Sequence, residues 1–339
     1  MTCRLDTRWS YRGLRCLRLE NEHLVVDVLP ELGGKIFRLI DKRADRDVLW
    51  HSDRVQPHRA PLHADFDDHW SGGWDDVFPT GERSRNRAGE ALPHMGELWT
   101  ACADWQILED TPHRVEVRLT THTPITPARW QRRISLEAGS CALRLAYRVE
   151  NVGSQPFDFN WGLHPAHAVS RHQHFDVPAR TGLVADCGGG HLGKTGDVYD
   201  WPRLNGLDVR EALGPETRCF ALHYLTELRQ GWVATTDRAS RRGFGLVFDR
   251  AVFPVVWMWL VYGGWRGYHH AILEPWTGYP SSLEAARADG RVRELGPGEP
   301  LETEVVAVIY SGVGGVSRLG PDGPDLGCVG TEAIESRTA

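Results

Sequence analysis

No apolar run in this 339-residue chain approaches the roughly 18 residues that a membrane-crossing helix needs. The opening Met1-Thr2-Cys3-Arg4-Leu5-Asp6 lacks the apolar core of a secretion signal, so the expected location is cytoplasmic. The formal net charge of −6 shows no basic excess that would point to nucleic acid or an anionic membrane as partner. There is no CxxC pair among the seven cysteines, which argues against a thiolate metal centre and leaves reduced, structural thiols as the expectation. Phosphate-binding P-loops, the dinucleotide-binding glycine fingerprint and the GxSxG nucleophile elbow are also missing, and with them the commonest cofactor classes. Helical periodicity is weak throughout, and no internal repeat is visible.

What the chain does contain is turns, aromatics and alternation. Its 36 glycines and 20 prolines punctuate the sequence every few residues, and its 14 tryptophans supply flat apolar faces suited to the C–H faces of sugar rings. Alternating apolar positions predict strands at His23–Leu29, Arg114–Leu119, Ala142–Val149, Gly231–Thr236, Gly243–Phe248, Val255–Leu260, Ala271–Glu274 and Glu304–Tyr310. The last is apolar on both faces, as a strand between two covering layers would be. Ser281-Ser282-Leu283-Glu284 resembles a capping box opening one short helix that stops at Gly290. Many short strands with almost no helix predict an all-β sandwich, a single domain over 1–312, with 313–339 as a flexible tail. The segment 51–93 is too long for an idle connection and is expected to serve function.

Three short stretches set a titratable residue beside glycine or proline and an aromatic: Pro93-His94-Met95-Gly96-Glu97-Leu98-Trp99, Asn160-Trp161-Gly162-Leu163-His164-Pro165, and Leu273-Glu274-Pro275-Trp276. General acid/base work needs groups held at fixed reach, which such turns provide. The bland alternative for each stretch alone is a satisfied polar residue at a strand end. A rival reading gathers His164, His167, His172 and His174 into a metal site, but their spacing fits no regular ligand pattern, and no metal is expected.

Together with the Gly33-Gly34 turn, the Gly72-Gly73-Trp74-Asp75-Asp76-Val77-Phe78-Pro79 loop and the Leu295-Gly296-Pro297-Gly298-Glu299 turn, these stretches resemble the galactose mutarotase-like superfamily of aldose 1-epimerases, in the family's order from about residue 20 to 310. The resemblance implies a large β-supersandwich that opens and recloses a pyranose without cofactor. It implies Glu274 as the base on the anomeric hydroxyl and His164 as the acid on the ring oxygen. It implies that His94 holds the ring oxygen or a neighbouring hydroxyl and that one of Arg83, Arg85 and Arg87 corresponds to a family arginine touching sugar hydroxyls. Glu97, Arg83, Arg87, Trp161, Asp75 and Trp276 join His94 as the expected substrate-binding residues. Met95 departs from the pattern by separating His94 from Gly96. No aspartate stands near Arg218–Tyr224, where the family carries a sugar-binding one; His223 does. Arg83, Arg85 and Arg87, at alternate positions, would share one face of an extended segment and either meet an anionic sugar or point to solvent. A small-molecule sugar is the expected partner, with the chain a monomer or homodimer. A non-catalytic sugar-binding protein of the same fold, an epimerase of an anionic sugar and a metal-dependent isomerase are the other readings.

Overall fold

Alternation becomes structure most directly at Ala142–Asn151, a strand in which Leu143, Leu145, Tyr147 and Val149 are buried while Arg144, Ala146 and Arg148 are only partly covered. In the computed structural model, which describes residues 2–319 and the backbone of Ile334–Ser336, the other expected strands also form, most of them a residue or more longer than the alternation alone marks. The result is a set of large antiparallel sheets with, among the described residues, two short α-helices, the all-β fold that the alternation implies.

The chain groups into two compact units. The first holds residues 1–139, 144–164 and 276–304. One of its sheets begins as a meander of Arg4–Tyr11, Leu14–Glu20, Leu24–Leu29 and Lys35–Asp41, then continues through Trp74–Val77 to Gly162–Ala168, whose first three residues lie in this unit. The second sheet runs in the order Ala142–Asn151, Ala128–Glu137, Arg114–His122, Asp104–Asp110. Leu14, Cys16, Leu29, Leu32 and Phe37 form one of its buried clusters, with Tyr11 packed against it. Deeper in this unit Arg132 pairs with Asp76 at 2.6 Å, both almost fully buried, and Tyr147 donates its hydroxyl to the same carboxylate at 3.2 Å. A buried ion pair survives desolvation only when such additional bonds satisfy it.

The second unit holds residues 140–143, 165–275 and 305 onward. Its sheets run His269–Trp276, Val255–Tyr262, Cys219–Thr226, Thr181–Gly188, Val198–Asp200, and Gln173–Asp176, Trp232–Asp237, Arg242–Phe248, Pro300–Ser311. Val305 to Tyr310 are buried on both faces, as their uninterrupted apolar run implies. Val313, Val316 and Leu319, at the start of the segment expected to be a tail, are buried with Trp232, Val247 and Tyr310, and Val316–Leu319 is a strand paired with Ile334–Ser336. Residues 320–333 and 337–339 lie outside the described part of the chain.

The expected helix is Leu283–Ala288, but the capping box is not made. Ser282, one residue later than the motif suggests, is the N-cap and accepts from the Ala285 N–H at 3.4 Å. Glu284 turns away and accepts from the Arg85 N–H at 3.0 Å, tying the helix to a neighbouring hairpin instead. Cys3, Cys16, Cys102, Cys187 and Cys219 carry free thiols, whereas Cys141 is disulfide-bonded, a departure from the all-reduced expectation. Among the described residues no helix is long and apolar enough to cross a membrane.

Candidate active site

Histidines and aromatic rings from three separate stretches of the first unit meet around one side chain, Phe66. It is the first residue of the short helix Phe66–His69, whose N-cap Asp65 accepts from the Asp67 N–H at 3.1 Å. The Phe66 ring lies edge-on to His94 (centroids 6.0 Å apart), to His164 (5.9 Å) and to Trp99 (5.2 Å), and stacks with Trp70 at 5.8 Å. Trp70 in turn meets His164 edge-on at 5.3 Å. The long segment 51–93 therefore supplies the wall on which the two histidines rest.

The backbone holds His94 through an unusual turn. Met95 and Gly96 both adopt positive φ (58° and 70°), the Met95 N–H donates to Gly81 O at 2.6 Å, and the Glu97 N–H donates to Phe78 O at 2.7 Å. A β-carbon at Gly96 would sit 2.1 Å from Phe78 O, so only glycine lets the two chains approach here. The inserted Met95 is thus absorbed in the turn, and His94 still joins Phe66. The His94 carbonyl is fixed by Trp99 Nε1–H at 3.1 Å.

His164 lies on Gly162–Ala168 and is 5% exposed. Burial, reinforced by the nearby charges of Lys35 and His94, pushes its pKa down from the usual imidazole value to about 3, so it is neutral at physiological pH. Its Nδ1 is buried without a hydrogen-bond partner, and so is that of His94. Lys35 is itself buried, bonded to Asp75 at 2.9 Å and to Gly72 O at 2.7 Å. Asp75 keeps its other oxygen, Oδ1, buried and unpartnered.

Other residues expected to touch substrate have different surroundings. Glu97 is fully buried and accepts from the backbone N–H groups of Ile125 (2.6 Å) and Thr126 (3.1 Å), so its carboxylate holds a loop; burial raises its pKa. Trp161 is fully buried, with the rings of Trp130 and Tyr147 packed against it at 4.7 and 4.9 Å. Trp276 is also fully buried, its indole lying where a β-carbon on Gly162 would be, 2.0 Å from Cε2. Neither tryptophan offers a face to a sugar, because both are core.

The three arginines do not line one face. The strand Ser84–Arg85 is two residues long and the chain turns at once, with the Gly89 N–H donating to Asn86 O at 3.0 Å. Arg83 pairs with Asp65 at 3.1 Å, Arg85 donates to Gly89 O at 2.6 Å, and Arg87 pairs with Glu294 and with Asp158 at 3.5 Å.

In the second unit Glu274 is 3% exposed, near the end of His269–Trp276. His223, in the place where the missing aspartate was sought, is fully buried on Cys219–Thr226; its Nδ1 bonds the Tyr199 hydroxyl at 2.9 Å and its Nε2 is buried without a partner. His174 is bracketed by Asp176 (3.1 Å) and Glu211 (2.9 Å), a satisfied structural histidine that leaves the proposed histidine metal cluster without that member. Among the described residues the set able to offer a metal three ligands is Asp65, Asp67 and His94, whose ligand atoms lie within 4.8 Å of one another; Arg83 already engages Asp65.

Sequence reasoning missed Phe66, Trp70 and Lys35. A lone lysine in the otherwise apolar Lys35–Asp41 start was the available signal for the last.

A family model described as aldose 1-epimerase matches residues 15–200. Among solved structures, the chain is similar to the Slr1438 protein of Synechocystis (17% identity, TM-score 0.64, 87% of this chain and 95% of that one). It is similar to a galactose mutarotase-like protein of Clostridium acetobutylicum (13%, 0.67, 92% and 99%) and to another of Lactobacillus casei (15%, 0.61, 87% and 99%). At these identities the structures establish a shared fold.

Proposed function

Since the chain belongs to the aldose 1-epimerase family, we propose that it interconverts the α and β anomers of a free, neutral aldose without cofactor or metal. The observation that carries this reading is the pair His94 and His164, set against Phe66 with both Nδ1 atoms buried and unpartnered. Leaving such atoms unbonded costs about 1–3 kcal/mol each, a cost consistent with groups kept for a ligand.

Ring opening requires a base at the anomeric hydroxyl and a donor at the ring oxygen. In this reading Glu274 takes the hydroxyl proton, the C1–ring-oxygen bond breaks, and His164 donates to the ring oxygen while His94 holds a neighbouring oxygen. Because His164 rests neutral, it works as an N–H donor rather than as a standing imidazolium, and the sharp rise in basicity of the departing ring oxygen draws on it. Asp75, positioned by Lys35, has one free acceptor for a sugar hydroxyl. Glu97, Trp161 and Trp276 support the site's framework.

The arginines favour a neutral substrate, because each guanidinium is already occupied by a carboxylate or carbonyl. Comparing kcat/KM for glucose and galactose with that for their 6-phosphates and uronates tests this. The neutral sugars are expected to be preferred at both low and high salt. A preference for the anionic sugars that fades with salt and vanishes in an Arg83→Gln/Arg87→Gln variant would reverse the assignment.

A further inference from the structure

The outer face of the sheet formed by Asp104–Asp110, Arg114–His122, Ala128–Glu137 and Ala142–Asn151 carries mostly polar and charged side chains, and at its Ala142–Asn151 strand the small Ala146 stands between Arg144 and Arg148. There the small side chain leaves a hollow of about 480 Å³, bordered by Arg118, Gln131, Arg133, Arg148 and the Glu302–Glu304 stretch, all in the first unit. The volume is within the range of small-ligand sites, about 300–1,000 Å³.

The charges around it are unevenly compensated. On one rim the acids are taken: Glu302 pairs with Arg148, and Glu304 pairs with Arg144 at 2.9 Å. On the other rim Arg118 and Arg133 stand directly opposite each other on paired strands. Like charges so placed repel. Among the described residues Arg118 has the neutral side-chain amide of Gln106 as its bonded acceptor, at 2.5 Å. Arg133 has Glu116 at 3.6 Å, and that carboxylate is held more closely by Arg114 at 2.6 Å. Among the described residues Arg118 therefore borders the hollow with no carboxylate, Arg133 with one that it shares with Arg114, and Thr303 with a buried hydroxyl oxygen that has no partner.

We propose that this hollow is an anion site that takes a phosphate group between Arg118 and Arg133. A tetrahedral dianion accepts from both planar forks at once and removes the repulsion between them, which a chloride ion or a neutral sugar does only in part. The group has two possible sources, the free ion or a small phosphomonoester.

Calorimetric titration of the full chain with inorganic phosphate, and separately with glycerol 3-phosphate, tests the site. Saturable binding is expected, at least tenfold weaker in Arg118→Gln/Arg133→Gln; should the double variant fold poorly, Arg133→Gln, at a position more than half exposed, carries the comparison. Loss of phosphate binding in the variant identifies the free ion as sufficient, and loss confined to the ester identifies a phosphomonoester. Equal affinity in wild type and variant, or no saturation by either probe below about 10 mM, overturns the proposal.

Discussion

Glu274→Gln and His164→Asn are each expected to lose about 10²-fold or more in anomer interconversion while remaining folded. Glu274→Gln keeps side-chain volume nearly constant at a position 3% exposed, and His164→Asn places a smaller polar side chain at a position 5% exposed, so the fold is kept while the base and the imidazole are removed. Glutamine cannot accept the anomeric proton. Asparagine can still donate an N–H, and the expected residual rate in His164→Asn is therefore higher than in a His164→Leu variant. A His94→Asn change, which removes a positioning contact rather than a transferred proton, is expected to raise KM more than it lowers kcat. Full activity in a folded Glu274→Gln or His164→Asn protein would remove that residue from the mechanism.

The second large effect concerns acid. His164 and His167 are held at about pKa 3 and His223 at about 4, in each case first of all by burial. His167 has neither ring nitrogen bonded and packs against Phe244 at 4.9 Å. Their folded-state values lie below the unfolded one near 6.5, so as pH falls through 6.5 the unfolded chain takes up protons that the folded chain refuses. Stability is complete above that value and declines below it, by about 2 kcal/mol per histidine between pH 6.5 and 5. Glu97 and Asp76, raised by burial, act in the opposite sense as pH falls toward the carboxylate range, and offset part of the loss. Urea unfolding at pH 7.5 and 5.0 should show a lower midpoint in acid. His167→Leu should reduce the pH slope by close to one proton. An unchanged midpoint, or a slope indifferent to His167, would contradict the burial argument.

The strands were readable because a half-buried strand writes its faces into alternate residues, as Leu143, Leu145, Tyr147 and Val149 do. The importance of segment 51–93 was readable from its length and composition. That Phe66 is the residue on which two histidines rest was not, since the contact joins positions 28 and 98 residues apart and no local pattern encodes it. The tryptophan count misled in two places: abundance signals aromatic surface, but whether Trp161 or Trp276 faces a ligand or the core depends on what packs over it, here Trp130, Tyr147 and Gly162. Arg83, Arg85 and Arg87 were read as one face because alternation presumes an extended chain, and the turn after Arg85 ends it. The cap of Leu283–Ala288 moved by one residue because Glu284 found a distant backbone partner that a local motif cannot anticipate.

The most direct test of the central claim is magnetisation exchange between the α and β anomeric proton signals of glucose and galactose in the presence of the wild-type protein, before and after prolonged chelation. The account predicts exchange far faster than the spontaneous reaction, proportional to protein concentration and unaffected by chelator. Exchange at the spontaneous rate with every aldose tried, or acceleration that chelation abolishes and a stoichiometric divalent metal restores, would contradict it.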